Sequence, residues 1–278
     1  MENKKSLESI LYVVLFVSTF FIIQALFQFI AIFIYAYLKE IAVNEVLQGI
    51  QMGKHSPAII ISSLLSSLVS IALFIKLKWS PISRTYLKSK PWAVLTWAGF
   101  LGLGAILPAQ YIYERLQVEM AQNVAELFKG IMNETGGYLV VGILAPIGEE
   151  LIFRGAVLRK LLTLFEGKKR WIAIFISAAI FGAIHGNFAQ GIHATLFGML
   201  LGWMYMRTGS ILPGIALHWV NNTVAYLMFK LLPEMNDGKL IDLFHGDERM
   251  MYGGLFFSLC ILVPSIFQLA LRMKKVSE

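Results

Sequence analysis

The stretch Ala145-Pro-Ile-Gly-Glu149-Glu150-Leu-Ile-Phe-Arg154-Gly155 places three charged residues inside an otherwise apolar run. A charged side chain at the centre of a bilayer costs about 2.5–3.5 kcal/mol on insertion scales, so charges at that depth face other polar groups or a functional site. The residues on both sides are hydrophobic enough to continue a membrane span. This stretch therefore predicts a membrane protein with a polar site inside the bilayer.

Long apolar runs recur on both sides of this stretch. Hydrophobic residues make up 57% of the 278 residues, and the mean hydropathy is +0.68. A run of about 20 apolar residues can cross a hydrocarbon core of roughly 30 Å. We predict an all-α integral membrane protein with about eight transmembrane helices around an intramembrane polar cavity. The predicted spans are 9–38, 58–76, 92–114, 138–160, 171–187, 188–206, 211–231 and 250–271. We expect residues 1–278 to form a single polytopic membrane domain, with a catalytic core at about 138–231.

The distribution of charge supports this topology. With both termini in the cytoplasm, most of the 24 basic residues fall in cytoplasmic segments, whereas acidic residues concentrate in the opposite loops. This asymmetry follows the positive-inside rule. We therefore expect a multi-pass protein of the cell membrane with both termini cytoplasmic. The net charge of +7 reflects topology and does not indicate nucleic-acid binding.

Two outward loops carry patterns of their own. Residues 116–135 place five apolar residues on one helical stripe, which is typical of a helix lying at the membrane surface: Val118, Ala121, Ala125, Phe128 and Met132. The segment 232–249 is acidic. Both segments are interpreted as solvated connections or, alternatively, as lids that gate access of a substrate.

The two adjacent carboxylates are predicted to differ in role. In an α-helix, Glu150 and Arg154 lie one turn apart, a spacing that allows an ion pair. Glu149 lies about 140° from Arg154 around the helix axis and does not easily share that partner. One interpretation of such an ion pair is purely structural: it fixes the packing of the helices. Glu149, in contrast, is a candidate general base for the activation of water.

Two further polar pairs lie in apolar spans. Phe181 and His185 share one helical face, so the aromatic ring can shield the imidazole from water. His218 and Asn222 also share a face, and both can donate hydrogen bonds toward a single point, as an oxyanion hole requires. If the three helices touch, Glu149 and the two histidines meet in one cavity. Asn221 is expected to bond locally.

Small residues around His185 predict tight local packing. Gly182 and Ala183 allow a neighbouring helix to approach closely, and Gly186-Asn187 indicates a tight turn into the next span. His193 is interpreted either as an interhelical hydrogen-bonding residue or as a second group near the site. The two other histidines lie in loops and are interpreted as structural: His55 and His245.

At these residues the chain resembles the CAAX protease and bacteriocin-processing (CPBP, or Abi) family of intramembrane proteases, and is similar to the CAAX prenyl endopeptidases of the Ras-converting type. The resemblance rests on three motifs in order: Glu149-Glu150-x-x-x-Arg154, Phe181-x-x-x-His185 and His218-x-x-x-Asn222. It covers residues 140–230, whereas residues 1–137 match only as membrane spans. Three motifs in order, each on its own span, are hard to obtain by chance.

The resemblance implies an intramembrane endopeptidase that hydrolyses a peptide bond of a membrane-associated peptide or protein. It implies that Glu149 and His185 activate a water molecule, and that His218 and Asn222 stabilise the oxyanion of the tetrahedral intermediate. Prenylated C-termini, leader peptides and other membrane-associated peptides are all substrates that the resemblance allows. The partners expected are such a substrate and the lipid bilayer, with no nucleic acid.

The resemblance also implies supporting roles for Glu150, Arg154 and Phe181. No cofactor is expected, because the prenyl-protein members of the family resemble metal-independent glutamate proteases and the chain has no His-Glu-x-x-His helix. Zinc stays an alternative, since two histidines and one carboxylate can ligate it.

Two other functions compete with proteolysis. A non-enzymatic membrane scaffold or bacteriocin-immunity protein is the main alternative, and it would tolerate loss of the polar residues. Ion or proton transport would predict inverted repeats and carboxylates on several spans. Both buried acids lie on one span here, which disfavours transport.

Overall fold

The structure is a computed structural model that describes residues 2–116, 121–232 and 239–274. Over these residues the chain is helical and contains no strand. The predicted all-α class is therefore confirmed. The helices, in chain order, are α1 Glu2–Lys39, α2 Val43–Gln51, α3 Ser56–Lys76, α4 Arg84–Lys88, α5 Trp92–Arg115, α6 Gln122–Asn133, α7 (residues 139–161), α8 Arg170–Ala183, α9 Phe188–Thr208, α10 Leu212–Leu231 and α11 Glu248–Arg272. Short 3₁₀ turns lie at Gly167–Lys169 and Leu240–Phe244.

Among the described residues, four helices are long and apolar enough to cross a membrane. They are the part Ser6–Lys39 of α1, together with α3, α5 and α11. These correspond to the predicted spans 9–38, 58–76, 92–114 and 250–271. The other predicted spans correspond to α7, α8, α9 and α10. α7 contains five charged residues, Glu149, Glu150, Arg154, Arg159 and Lys160. α8 has only 14 residues, fewer than the roughly 20 that a span needs. The count of eight spans and the central cavity stay predictions.

α1 extends well beyond the thickness of a membrane core. Its 38 residues correspond to about 57 Å of helix, against a hydrocarbon core of roughly 30 Å. The last turns of α1 are packed by other helices, because Ile32 and Ala36 belong to a buried cluster with Val46 and Ile50 of α2 and Ile59 of α3. A helix of this length accommodates to a membrane by tilting or by projecting beyond it.

α6 forms part of the same packing. Its Leu127 and Ile131 lie against this buried cluster, and Met132 is itself buried. A Cβ atom added to Gly130 would overlap the backbone of Gly53, in the turn between α2 and α3. The helix predicted within 116–135 is confirmed from Gln122 onward, whereas residues 117–120 lie outside the described residues. Packing at backbone distance favours a fixed surface helix over a gating lid.

The described chain divides into two compact units. The first unit comprises residues 1–82 and 120–199, and the second comprises residues 83–119 and 200–278. The first unit therefore contains α1–α3, α6–α8 and the first part of α9. The second contains α4, α5, the end of α9, α10 and α11. The single domain expected from the sequence stays a prediction.

Glycines allow the helices of the second unit to pack closely. A Cβ atom on Gly104 of α5 would lie 2.6 Å from the backbone nitrogen of Leu262 in α11. The hydroxyl of Ser258 donates to the Gly104 carbonyl across the same contact, at 3.0 Å. On the side facing α10, a Cβ atom on Gly102 would lie 3.2 Å from the carbonyl of Leu217. These contacts hold α10, the helix that carries the third motif, against α5.

Candidate active site

α7 carries the charged stretch and is wider than an ordinary α-helix over much of its length. Leu139–Leu144 and Glu150–Leu158 are π-helical, whereas Ala145–Glu149 and Arg159–Leu161 are α-helical. Pro146 accounts for the first wide segment, because proline has no N–H to donate and its ring displaces the carbonyl four residues earlier. π-helical turns occur frequently at functional sites, and here one begins at Glu150.

Glu150 and Arg154 form a fully buried ion pair. Nη1 of Arg154 donates to Oε1 of Glu150 at 2.7 Å, and the two side chains are 1% and 0% exposed. The predicted ion pair is confirmed. Removal of one partner from such a buried pair typically costs about 3–5 kcal/mol, because the other charge is left in a low-dielectric environment.

Glu149 differs from the expectation in one respect. The side chain is half-buried, and its charge also attracts the Arg154 guanidinium. The expected angle of about 140° assumed an α-helix, but the segment from Glu150 onward is π-helical. A π turn contains more residues than an α turn, so the five residues from Glu149 to Arg154 come closer to a whole turn. The angle of about 140° therefore does not describe this segment, and the role of Glu149 stays a prediction.

Arg154 reaches two further helices through its guanidinium. Nη2 donates to the carbonyl of Gly198 in α9 at 3.3 Å, and the guanidinium carbon lies 4.4 Å from the ring centroid of Phe181 in α8. A Cβ atom on Gly198 would lie 2.9 Å from Nη2 and 3.1 Å from Cβ of Ala178. A larger residue at this position would therefore displace the Arg154 guanidinium or Ala178. Sequence reasoning missed this contact, although Gly198 and Gly202 show the small-xxx-small spacing of close helix pairs.

The orientation of the His185 ring is fixed by Phe181. The two rings meet edge to face, with centroids 5.1 Å apart, as the predicted shared face requires. Nδ1 of His185 lies 2.9 Å from the carbonyl oxygen of Phe181. Because a carbonyl only accepts, Nδ1 carries the proton, and in the neutral ring the lone pair is on Nε2. Contacts thus run from Glu150 through Arg154 and Phe181 to His185.

Phe181 is held in place by the packing of α8 on α7. It is 1% exposed, and its ring centroid lies 5.2 Å from that of Phe153. The hydroxyl of the buried Ser177 donates to the Phe153 carbonyl at 2.9 Å. These contacts connect α8 directly to the wide segment of α7.

The turn after His185 brings α8 and α9 together. A Cβ atom on Gly182 would overlap the side chain of Thr195 and the carbonyl of Gly191, so the predicted close approach is confirmed. Gly186 has a φ of +68°, a conformation that glycine adopts readily. The Asn187 Oδ1 atom accepts from the backbone N–H of Gln190 at 3.0 Å. The predicted tight turn is therefore present.

His218 and Asn222 lie on α10 in the second unit. His218 is 5% exposed, and Asn222 is half-buried. Nδ2 of Asn221 donates to Oδ1 of Asn222 at 3.2 Å, as expected for a locally bonded Asn221. In the Asn222 amide only Nδ2 carries hydrogens, so it is the hydrogen-bond donor of this side chain. The meeting of these residues with Glu149 and His185 of the first unit stays a prediction.

The other histidines have aromatic neighbours or lie at turns. His193 stacks on Phe197, with ring centroids 6.1 Å apart and an interplanar angle of 10°. His55 Nδ1 lies 3.3 Å from the hydroxyl of Tyr35, which fits its structural interpretation. His245 is exposed. Within each unit, the described residues include no group of three His, Cys, Asp or Glu side chains that could hold a metal ion.

Comparison with known proteins relates this region to membrane proteases. Residues 132–224 match the family model described as Type II CAAX prenyl endopeptidase Rce1-like. The matched segment contains all three motifs, so the resemblance predicted from them is confirmed. A distant relative is the UPF0177 protein YaiF of Lactococcus lactis subsp. lactis, which is 28% identical over 189 residues, covering 63% of this chain and 80% of the relative. No solved structure matches the chain. The four apolar helices indicate a membrane protein, and residues 132–224 are similar to an endopeptidase family.

Proposed function

We propose that this protein is an intramembrane endopeptidase that hydrolyses a peptide bond of a membrane-associated peptide or protein. The observation that carries the proposal is the match of residues 132–224 to the endopeptidase family model, since this segment contains the three polar motifs in order. The proposal is supported by the orientation of His185, whose Nδ1 is engaged by the Phe181 carbonyl. Nε2 is then the nitrogen that can take a proton.

Glu149 and His185 activate the attacking water in this mechanism. The water gives its proton to the Glu149 carboxylate or to Nε2 of His185 while its oxygen attacks the carbonyl carbon of the substrate. The proton then passes to the amine that leaves. Proton transfer by a positioned side chain typically contributes about 10²–10⁴-fold to the rate.

His218 and Asn222 stabilise the oxyanion of the tetrahedral intermediate. Both side chains can donate a hydrogen bond, His218 from its ring N–H and Asn222 from Nδ2. Loss of one oxyanion donor typically lowers kcat by about 10²–10³-fold. Glu150 does not act on the substrate, because its Oε1 atom is engaged by Arg154 inside the fold.

The mechanism uses no step through a metal ion. A catalytic zinc site needs about three protein ligands, whereas this mechanism uses Glu149 and His185 to activate water and His218 to stabilise the oxyanion. Elemental analysis of the purified protein, with cleavage measured before and after chelation, tests this part of the proposal. Zinc at one equivalent together with loss of cleavage on chelation would contradict it.

Substitution of three of the four proposed residues tests the function. The protein, purified into phospholipid nanodiscs, is incubated with a peptide library prepared from bacterial membrane proteins, and cleavage is followed by mass spectrometry. Glu149→Ala, His185→Ala and His218→Ala should each abolish cleavage while membrane insertion is retained. His193→Ala is the matched control, because it removes a half-buried histidine outside the three motifs. Full proteolysis by the Glu149→Ala variant would end the assignment.

The conservative variant Glu149→Gln separates a protease from a membrane scaffold. It preserves the size of the side chain but cannot accept a proton from water. A protease loses its cellular effect with this substitution, whereas a scaffold or immunity protein keeps it in full.

We also propose that the protein lies in the cell membrane with both termini in the cytoplasm. The distribution of the basic residues among the loops supports this orientation. Reporter fusions at each terminus test it, and an extracytoplasmic signal at either end would contradict it.

A further inference from the structure

A cleft of about 590 Å³ lies in the first unit, around the turn that follows His185. His185 lies in the sequence between Ala183 and Gly186, both of which line this cleft. The other lining side chains include Asn187, Phe188, Ile192 and Leu196. Pockets of roughly 300–1,000 Å³ are typical of ligand sites.

Asn187 provides the cleft with an unused hydrogen-bond donor. Its Oδ1 atom accepts from the backbone N–H of Gln190 at 3.0 Å, and this contact sets the orientation of the amide group. Nδ2 is shielded from solvent, and it has no hydrogen-bond partner among the residues that the structure describes. A buried donor without an acceptor is unfavourable and therefore uncommon in native proteins. A ligand that brings a carbonyl oxygen would satisfy it.

The rest of the cleft is apolar. The hydroxyl of Thr195 is already engaged, because it donates to the carbonyl of Gly191 at 2.7 Å. Phe188 and Leu196 are 77% and 57% exposed, so large hydrophobic surfaces border the opening. None of the described residues that line the cleft is charged. This combination of one donor and an apolar wall fits an uncharged peptide segment better than an acidic or basic one.

We propose that the cleft binds the substrate next to the bond that is cleaved. Nδ2 of Asn187 donates to a backbone carbonyl of the peptide, and the apolar wall receives a hydrophobic side chain beside that carbonyl. An extended peptide has unpaired carbonyls, which need donors wherever water is excluded. This inference rests on the proposed function, because it places the peptide beside the proposed base His185.

Two substitutions test the hydrogen-bond donor and the apolar wall of the cleft separately. Asn187→Ser retains a good N-cap residue for α9 but removes the amide donor. Ala183→Leu adds bulk to an exposed position of the wall. Gly253→Ala on α11 is the control, because a Cβ atom there would meet no atom within 4 Å. Each variant, in phospholipid nanodiscs, is incubated with the peptide library from bacterial membrane proteins, and cleavage sites, KM for one cleaved peptide and the unfolding temperature are measured.

We expect Asn187→Ser to raise KM about tenfold with an unchanged unfolding temperature. We expect Ala183→Leu to shift the cleavage profile from large toward small apolar residues at one position beside the cleaved bond. If the wild-type protein cleaves the library but both variants keep its KM and its profile, the inference is overturned and the proposed function stands. If Asn187→Ser lowers the unfolding temperature and the Ala183→Leu profile is unchanged, the cleft is structural and the inference is again overturned. Absence of cleavage by the wild-type protein would overturn the proposed function and the inference together.

Discussion

The guanidinium of Arg154 lies over the ring of Phe181, with its central carbon 4.4 Å from the ring centroid. The backbone carbonyl of the same phenylalanine accepts the hydrogen bond from Nδ1 of His185. One residue of α8 therefore contacts both the buried cation and the proposed base. A cation–π contact away from water is worth about 2 kcal/mol, so the position of Phe181 is strongly determined.

Phe181→Leu should impair both catalysis and stability. The variant keeps the backbone carbonyl but loses the ring that lies against Arg154 and His185. We expect kcat to fall about tenfold while KM changes little, and the free energy of unfolding to fall by about 1–2 kcal/mol. Phe256→Leu on α11 is the control, because Phe256 is 62% exposed. Equal kcat values for the wild-type protein and Phe181→Leu would show that the ring does not position His185.

The buried ion pair should behave as a coupled unit. Glu150→Gln or Arg154→Met alone leaves one buried charge without its closest partner, and each should lower the free energy of unfolding by about 3–5 kcal/mol. The double variant Glu150→Gln/Arg154→Met should lose markedly less than the sum of the two. Thermal unfolding of all four proteins in detergent gives the coupling energy. If the loss in the double variant equals the sum of the two single losses to within about 0.5 kcal/mol, the two residues act independently.

Gly198→Ala should disturb the Arg154 guanidinium directly. The new Cβ atom would lie 2.9 Å from Nη2 of Arg154 and 3.1 Å from Cβ of Ala178. We expect a loss of about 1–3 kcal/mol in the free energy of unfolding, as for other overpacked cores. Gly253→Ala is the control, and an unfolding temperature equal to that of this control would contradict the prediction.

Tyr86 in the short helix α4 should make stability depend on alkaline pH. Tyr86 is 2% exposed, its hydroxyl has no partner among the described residues, and burial raises the pKa of the phenol to about 12 from 10.0. The folded state therefore favours the protonated phenol. This stabilisation is complete below pH 10 and is lost as the pH rises from about 10 to about 12. Tyr86→Phe should be as stable as the wild-type protein or up to about 1 kcal/mol more stable at pH 7.

The same variant should lose less stability between pH 10 and pH 12 than the wild-type protein does. Unfolding temperatures measured across this range test the prediction. Parallel curves for the two proteins would mean that Tyr86 does not titrate with a raised pKa.

Short-range relationships could be predicted from the sequence. Glu150 with Arg154, and Phe181 with His185, are each four residues apart, so their contacts depend mainly on helix formation. The four most apolar spans could also be predicted, because hydropathy depends on composition alone. The contact between Arg154 and Gly198 could not be predicted, because it depends on how α9 packs against α7.

The local form of the helices was harder to predict. A sequence pattern with a 3.6-residue period does not distinguish a π-helical turn from an α-helical one. The expected angle between Glu149 and Arg154 around the helix axis therefore assumed an α-helix. The helix Val43–Gln51 was not predicted at all, because nine residues contain too few turns for a clear period. α7 carries its charges where a span would be most apolar, and composition alone does not show how it lies relative to the membrane.

The wide turns of α7 make this segment sensitive to its length. Deletion of one of the three residues between Glu150 and Arg154 would let the helix relax to regular i→i+4 bonding. Glu149 would then lie four residues before Arg154, the spacing that Glu150 has now and that allows an ion pair. The candidate base would become a partner of the buried cation although every motif residue was still present. A single-residue gap here should therefore be more damaging than most substitutions at residues 151–153.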